Sequence, residues 1–163
     1  MTGTQLADID NNTRLRRSLT DLIIGVFRLN GALLVSGDAL VEDLRLTSAR
    51  WQVLGAIALS PVPLPVAHLA RNMGLTRQAV QRLANDMERD GLVRFAPNPH
   101  HDRAKLVLLT RKGKAAFAAA MKRQGPWANL LVAGLSMRDI KFATLTLRTI
   151  RQRLEQQAGA DDA

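Results

Sequence analysis

The sequence predicts a mainly α-helical chain carrying one small β-hairpin, an α+β fold, and three observations predict it. The run 65–110 holds a short helix, a Gly-Leu-Thr turn and a second helix with a basic, amide-rich face, then two short strands around a basic loop. Apolar residues near both chain ends recur in seams of alternating three and four, as in helices that pack on other helices. The charge balance is strongly positive. In this order the elements read as a winged helix-turn-helix core over 46–110. A tail and dimerisation helix (1–45) precede it, and C-terminal dimerisation helices and a tail (111–163) follow.

At 163 residues the chain can bury one ordinary core, with room for an added helical layer. Its 47% apolar and 23% charged residues make a globular composition, neither disordered nor membrane-spanning. The formal net charge of +9 suits a polyanionic partner, nucleic acid ahead of an anionic membrane surface. No apolar run approaches the ~18 residues needed to span a bilayer, and the longest, near 22–26, is far too short. The acidic N-terminus lacks a signal-peptide core, so a cytoplasmic protein with no membrane partner is expected. The absence of cysteine excludes a thiol switch, a thiolate metal site and a cysteine nucleophile.

The first ten or so residues read as a frayed tail, and Thr13 as the N-cap of a helix reaching about Ser36. Leu15, Leu19, Leu22, Val26, Leu29 and Leu33 form its seam, widened by Ile23, Ile24 and Phe27, so the helix needs more than one surface to pack on. The short acidic stretch 37–45 reads as a linker or turn. Thr47 caps a second helix that turns Trp51, Leu54, Ile57 and Ala58 inward, and Pro61, Pro63 and Pro65 prevent its continuation. Pro65 suits the first turn of a third helix, whose core stripe is Val66, Leu69, Ala70 and Met73 and whose stop is Gly74.

Thr76 is placed to cap the fourth helix. Its Ala79, Val80, Leu83, Ala84 and Met87 share one arc, and Arg77, Gln78, Gln81, Arg82 and Asn85 share the opposite one. Arg and Gln carry the paired donors and acceptors that match guanine and adenine edges in the major groove. Asp86, Glu88 and Asp90 gather at the far end, where phosphate would repel them, so the helix is expected to enter DNA by its N-terminal half.

After Gly91, residues 92–95 and 105–109 read as the strands of a hairpin, joined by the projecting loop 97–104. Arg103 is expected to reach a minor groove, with Arg94 and Lys105 at phosphates and His100 and His101 as further loop contacts or solvated groups. Thr110 begins a long helix in which Gly125-Pro126 predicts a kink or break. Ser136 and Asp139 loosely form a capping box for the last helix, whose seam is Ile140, Ala143, Leu147, Ile150 and Leu154. The stretch 159–163 reads as a tail. Two terminal helices with spare apolar faces are best satisfied by a second copy, which gives a two-fold homodimer reading half-sites roughly 34–36 Å apart.

These residues carry a family resemblance. The segments 46–54 (LTSARWQVL), 66–83 (VAHLARNMGLTRQAVQRL), 90–93 (DGLV) and 103–110 (RAKLVLLT), with Asn98-Pro99 between the last two, resemble the MarR family of bacterial regulators, colinearly over about 46–117. The resemblance implies a homodimer held by its terminal helices. It also implies repression at a pseudo-palindromic operator and release when a small aromatic or phenolic ligand enters a cleft between those helices and the winged core. By position it places Thr76, Arg77, Gln78, Gln81 and Arg82 at the major groove and makes Arg103 the wing-tip arginine. Two departures stand out. His101 holds the place where many members have an aspartate two residues before that arginine, and Asn85-Asp86 replace a frequent Asp-Arg pair.

Other readings carry less. No Gly-rich phosphate loop, Gly-x-Ser-x-Gly elbow or persuasive carboxylate pair is present, so no enzymatic activity and no cofactor are expected. Three histidines without cysteine make no convincing metal cluster, and His68 reads as an exposed helix residue or a phosphate neighbour rather than a ligand. Trp51 and Trp127 are candidates for lining an effector cleft, against the commoner role of core packing. Arg14, Arg16 and Arg17 read as a solvated basic helix end, with contact to DNA or a partner as the alternative. The alternatives are a winged helix used for protein-protein assembly, with the charge serving solubility, and a DNA-binding regulator with no small-molecule effector.

Overall fold

The computed structural model describes residues 3–99, 101 and 103–161. Helix α1 (Gly3–Val41) leads through a 3-10 turn (Glu42–Leu44) to α2 (Ser48–Ala58), β1 (Leu64–Pro65), α3 (Val66–Met73) and α4 (Arg77–Arg89). Then come β2 (Val93–Ala96), β3 (Leu106–Leu109), α5 (Arg111–Val132) and α6 (Met137–Asp161). The chain divides into two compact units, one ending at Arg123 and one beginning at Gln124.

In the first unit, α2, α3 and α4 close over a three-stranded antiparallel sheet of order β1-β3-β2. Leu54, Leu69, Val80, Met87, Val93 and Val107 are fully buried between them. The predicted stripes of α3 and α4 supply half of these side chains, Leu69, Val80 and Met87. Strand β1 was not expected: Leu64 pairs with Val107, and Pro65, lacking an N–H, sits where a short edge strand tolerates it. Pro65 also serves as N-cap of α3. In α2 the inward residues include Val53, buried fully, whereas Ala58 is exposed. That helix packs on two sides, so a single stripe misplaces its ends.

The caps follow the sequence. The Thr47 hydroxyl accepts from Arg50 N (3.3 Å) and Thr76 from Ala79 N (3.2 Å). Gly74 closes α3 in the left-handed region (φ 65°), where the Leu75 N–H reaches Ala70 O at 2.9 Å. The Thr110 hydroxyl accepts from Gly113 N (3.0 Å) and donates to Gly91 O (2.6 Å), which sets the start of α5 against the corner between α4 and β2. Gly113 is required there, because a Cβ would overlap the Leu92 carbonyl.

Four expectations need correction. Thr13 lies inside α1, which starts by Gly3, because polar residues without proline do not stop a helix. The helix also passes through Gly37 and ends at Val41: this glycine serves close packing against Ser48 rather than chain reversal. Helix α5 continues through Pro126 to Val132 as one element, so of the kink and the break expected there the break does not occur. Helix α6 runs on through the expected tail to Asp161.

Helix α1 is 39 residues long and its apolar seam is open to solvent: Leu15 is 61% and Phe27 73% exposed. Asn11–Leu44 is long and apolar enough to cross a membrane by length and composition. The expectation that nothing approached that length is thereby corrected. Between 19 and 36 only Asp21 and Arg28 are charged, so the spaced seam and its apolar flanks add up to a span that no unbroken run displays.

In the second unit, Ser136 caps α6, accepting from Asp139 N at 3.1 Å and donating to the Asp139 carboxylate at 2.6 Å. Helix α6 exposes Phe142, Leu145 and Leu154. Met137, Arg138, Lys141, Phe142 and Leu145 line an open groove of about 470 Å³ along it.

Candidate nucleic-acid interface

Helix α4 is held by one face and offers the other. Val80, Ala84 and Met87 are fully buried, and Leu83 is half-buried on the same side. On the opposite side Arg77, Gln78, Arg82 and Asn85 are exposed, so the predicted polar arc is a solvent-facing surface beginning at the capped N-terminus. Gln81 is half-buried and its Nε2 donates to Asn85 Oδ1 at 2.9 Å, an i,i+4 bond that orients the amide. The Thr76 oxygen caps the helix as an acceptor, which leaves its O–H to donate outward. Among the described residues, Arg77, Gln78 and Arg82 have no side-chain partner, and their donors face solvent.

The acidic end is arranged differently. Asp86 pairs with Arg89, and the Asp90 carboxylate meets Arg50 of α2 at 2.8 Å. Lys112 Nζ donates to Asp90 O at 2.7 Å. Glu88 Oε1 accepts from Phe95 N at 3.0 Å, which satisfies an amide on the outer edge of the edge strand β2 and ties the wing to the helix. These acids are therefore structural ties, a role that sequence reasoning missed. The partners of Asp90 and Glu88 lie in α2 and β2, where no local spacing signals them, whereas Asp86 and Arg89 form an i,i+3 pair within α4.

In the wing, Arg94 is exposed on β2, and His101, Arg103 and Lys105 are exposed on the loop. His101 N bonds Asn98 O and Ala104 N bonds His101 O, both at 3.1 Å. The Asn98 side chain closes the loop base by donating to Ala104 O at 3.0 Å. Asn98 is thus the organising residue of the wing. His100, named above as a loop contact, and Asp102 lie outside the described residues. A groove of about 330 Å³ at the wing root is lined by Phe95, Ala96, Pro97, Asn98 and Lys105.

Trp51 is half-buried against the core of the first unit, and Trp127 is half-buried in the second. Neither of the two grooves described is lined by a tryptophan. Among the described residues no cluster of three or more His, Cys, Asp or Glu side chains stands where a metal could bind.

The model of the MarR family matches residues 46–104, which span α2 to the wing. An uncharacterised protein of Mycobacterium tuberculosis, Rv2011c, is 38% identical over 102 residues, 63% of this chain and 70% of that one. The transcriptional activatory protein BadR of Rhodopseudomonas palustris is 28% identical over 157 residues, 94% of this chain and 88% of its own. Among solved structures, the M. tuberculosis transcriptional regulator MosR in complex with DNA superposes with a TM-score of 0.69 at 24% identity, covering 81% of this chain and 96% of that one. CouR of Rhodococcus jostii RHA1 bound to p-coumaroyl-CoA gives 0.72 at 22% identity, covering 80% and 91%.

Proposed function

The chain belongs to the MarR family of winged-helix transcription regulators, and from that premise we propose that it is a homodimer that reads a pseudo-palindromic operator through α4 and the wing. The observation that carries this reading is α4 itself. A helix capped by Thr76 and anchored by Val80, Ala84 and Met87 offers Arg77, Gln78 and Arg82 to solvent, while its acids are bound up in the fold. In this reading Thr76, Arg77, Gln78, Gln81 and Arg82 enter the major groove. Arg94 and Lys105 neutralise phosphates, and Arg103, with His100 and His101 beside it, follows the minor groove. The DNA-bound MosR structure, which shares this fold, supports the mode of docking.

The exposed seam of α1 supports the dimer. Its four-three alternation matches the knobs of a partnered helix, whereas a bilayer would accept apolar residues around the whole girth. Sedimentation of the full chain without detergent is expected to give a dimer, and Leu22→Glu with Leu29→Glu to give monomers. Flotation of the chain with lipid vesicles would reverse this reading in favour of the membrane.

We assign the resting mode as repression relieved by a small aromatic ligand, with Trp51 in the first unit and Trp127 in the second each a separate candidate contact, and the cytoplasm as its place of action. The ligand-bound CouR structure supports an effector of that chemistry. BadR, named as an activator, supplies the opposite outcome for a reporter assay to detect. The test of the whole reading is binding to duplex DNA across ionic strength. Affinity is expected to fall with a log-log slope of roughly 0.9 per neutralised phosphate. Lack of any duplex binding at low salt would favour an assembly module.

A further inference from the structure

Among the described residues, one side chain combines deep burial with polarity: Ser48, 4% exposed at the start of α2. Its hydroxyl donates to the Leu34 carbonyl of α1 at 2.8 Å, and its backbone N–H donates to Asp38 Oδ1 at 2.5 Å. Leu34 O lies inside α1, about two turns from its end, where helix geometry already gives it a donor from the following turn, so the Ser48 bond is an added tie between two elements. Between the two ties lies Gly37. A Cβ built there would stand 2.5 Å from Ser48 Oγ, but 3.5 Å from Ser48 Cβ and 3.9 Å from Trp51 Cζ3. The α1–α2 crossing is thus fixed by a glycine notch, a serine seated in it and a carboxylate clip.

We infer that this Gly37–Ser48–Asp38 joint sets the spacing of operator half-sites that the protein accepts. The inference rests on the proposed reading of α1 as a dimer helix and α4 as a DNA reader. The joint is where the element proposed to fix the two-fold axis meets the helix that packs directly on α3 and α4. A change in crossing angle at residue 37 would move both reading heads symmetrically relative to that axis. Because a B-DNA half-site presents its major groove once per turn, such movement alters which centre-to-centre distance fits. Gly37, Ser48 and Asp38 are therefore positioning residues: they touch no base, and they act through the placement of α4.

The test measures affinity of the full-length protein for operators whose half-sites are separated by the selected spacer or by one base pair more or less. Gly37→Ala places a methyl against Ser48 Oγ, so either the hydroxyl turns away and gives up its bond to Leu34 O, or the crossing opens. The variant is expected to shift the preferred spacer, or to lower the ratio between preferred and altered spacers by at least about fivefold, the lower end of a typical coupling between sites. Ser48→Ala removes the obstructing oxygen, so Gly37→Ala with Ser48→Ala should recover a ratio within about threefold of Ser48→Ala alone, because the remaining contacts are ordinary ones. Asp38→Ala with Ser48→Ala loosens both ties without a clash and should flatten the spacer preference. It decides the matter alone if Gly37→Ala does not fold.

An unchanged wild-type spacer profile in the folded variants, or a double variant no better than Gly37→Ala, would overturn the inference. A joint that serves only stability would lower Tm and leave the profile intact. If the wild-type protein shows no spacer preference on any duplex, the functional reading fails first, and that result is distinct from the other two.

Discussion

The two halves of α4 have the same helical geometry and opposite employment. At its N-terminal half Arg77, Gln78 and Arg82 stand exposed, with no side-chain partner among the described residues. At its C-terminal end Asp86, Glu88 and Asp90 are engaged with Arg89, the Phe95 amide and Arg50. The difference is one of function against architecture. One end keeps its polar groups for a partner in solution, and the other uses them to fix where that first end points. Removing phosphate-repelling charge from the exposed end and neutralising it by internal pairing at the other has the same electrostatic direction, so the two arrangements reinforce each other.

The sharpest way to break the comparison is to remove the shared anchor beneath both halves. Met87→Ala, at a fully buried site, is expected to cost about 2–5 kcal/mol of stability in denaturant unfolding. A loss under 1 kcal/mol would mean that α4 is not seated as described. Next comes the reading end. Arg82→Ala should lose about 1–3 kcal/mol on the operator, relax one base position per half-site and leave unfolding within about 0.5 kcal/mol of wild type. Equal losses on operator and random duplex, measured by fluorescence anisotropy, would reduce Arg82 to a phosphate contact.

The cap lies between the two roles. Thr76→Ala should destabilise the protein by about 1 kcal/mol and weaken operator binding as well, since the same oxygen shapes the end that enters the groove. Stability lost with operator affinity intact would separate the cap from the interface. The smallest effects belong to the acidic end. Arg50→Ala should cost about 0.2–1 kcal/mol, as expected of a pair whose partners are 24% and 46% exposed. Glu88→Ala should accelerate hydrogen exchange of the Phe95 amide while Glu88→Gln, which keeps an acceptor, largely preserves its protection. Identical exchange in the two variants would show that the carboxylate does not tie the wing.

The same contrast explains what could be read from the chain. The exposed face of α4 was legible because caps and a 3.6-residue period fix which side chains turn outward: Thr76 starts the helix, and Val80, Ala84 and Met87 set its phase. The ties of Glu88 and Asp90 were not, because each joins residues that only the tertiary fold brings together. Strand β1 escaped for a related reason: two residues, one of them proline, carry no alternation, and only β3 beside them makes them a strand. Gly37 misled most directly. A glycine after an apolar seam ordinarily signals a helix end, and here it admits Ser48 against a continuing helix. At Pro126 only the break of the expected kink or break is removed, since α5 continues past it.

Selection of bound sequences from a random duplex library, run in parallel with the wild-type chain and Arg82→Ala, tests the central claim most directly. The predicted result is a pair of inverted half-sites about 10–10.5 base pairs apart, with one position in each losing its base preference in the variant. Recovery of no enriched motif at low salt, or of the same motif with the same preferences from both proteins, would contradict the assignment of the N-terminal half of α4 as the reader of DNA.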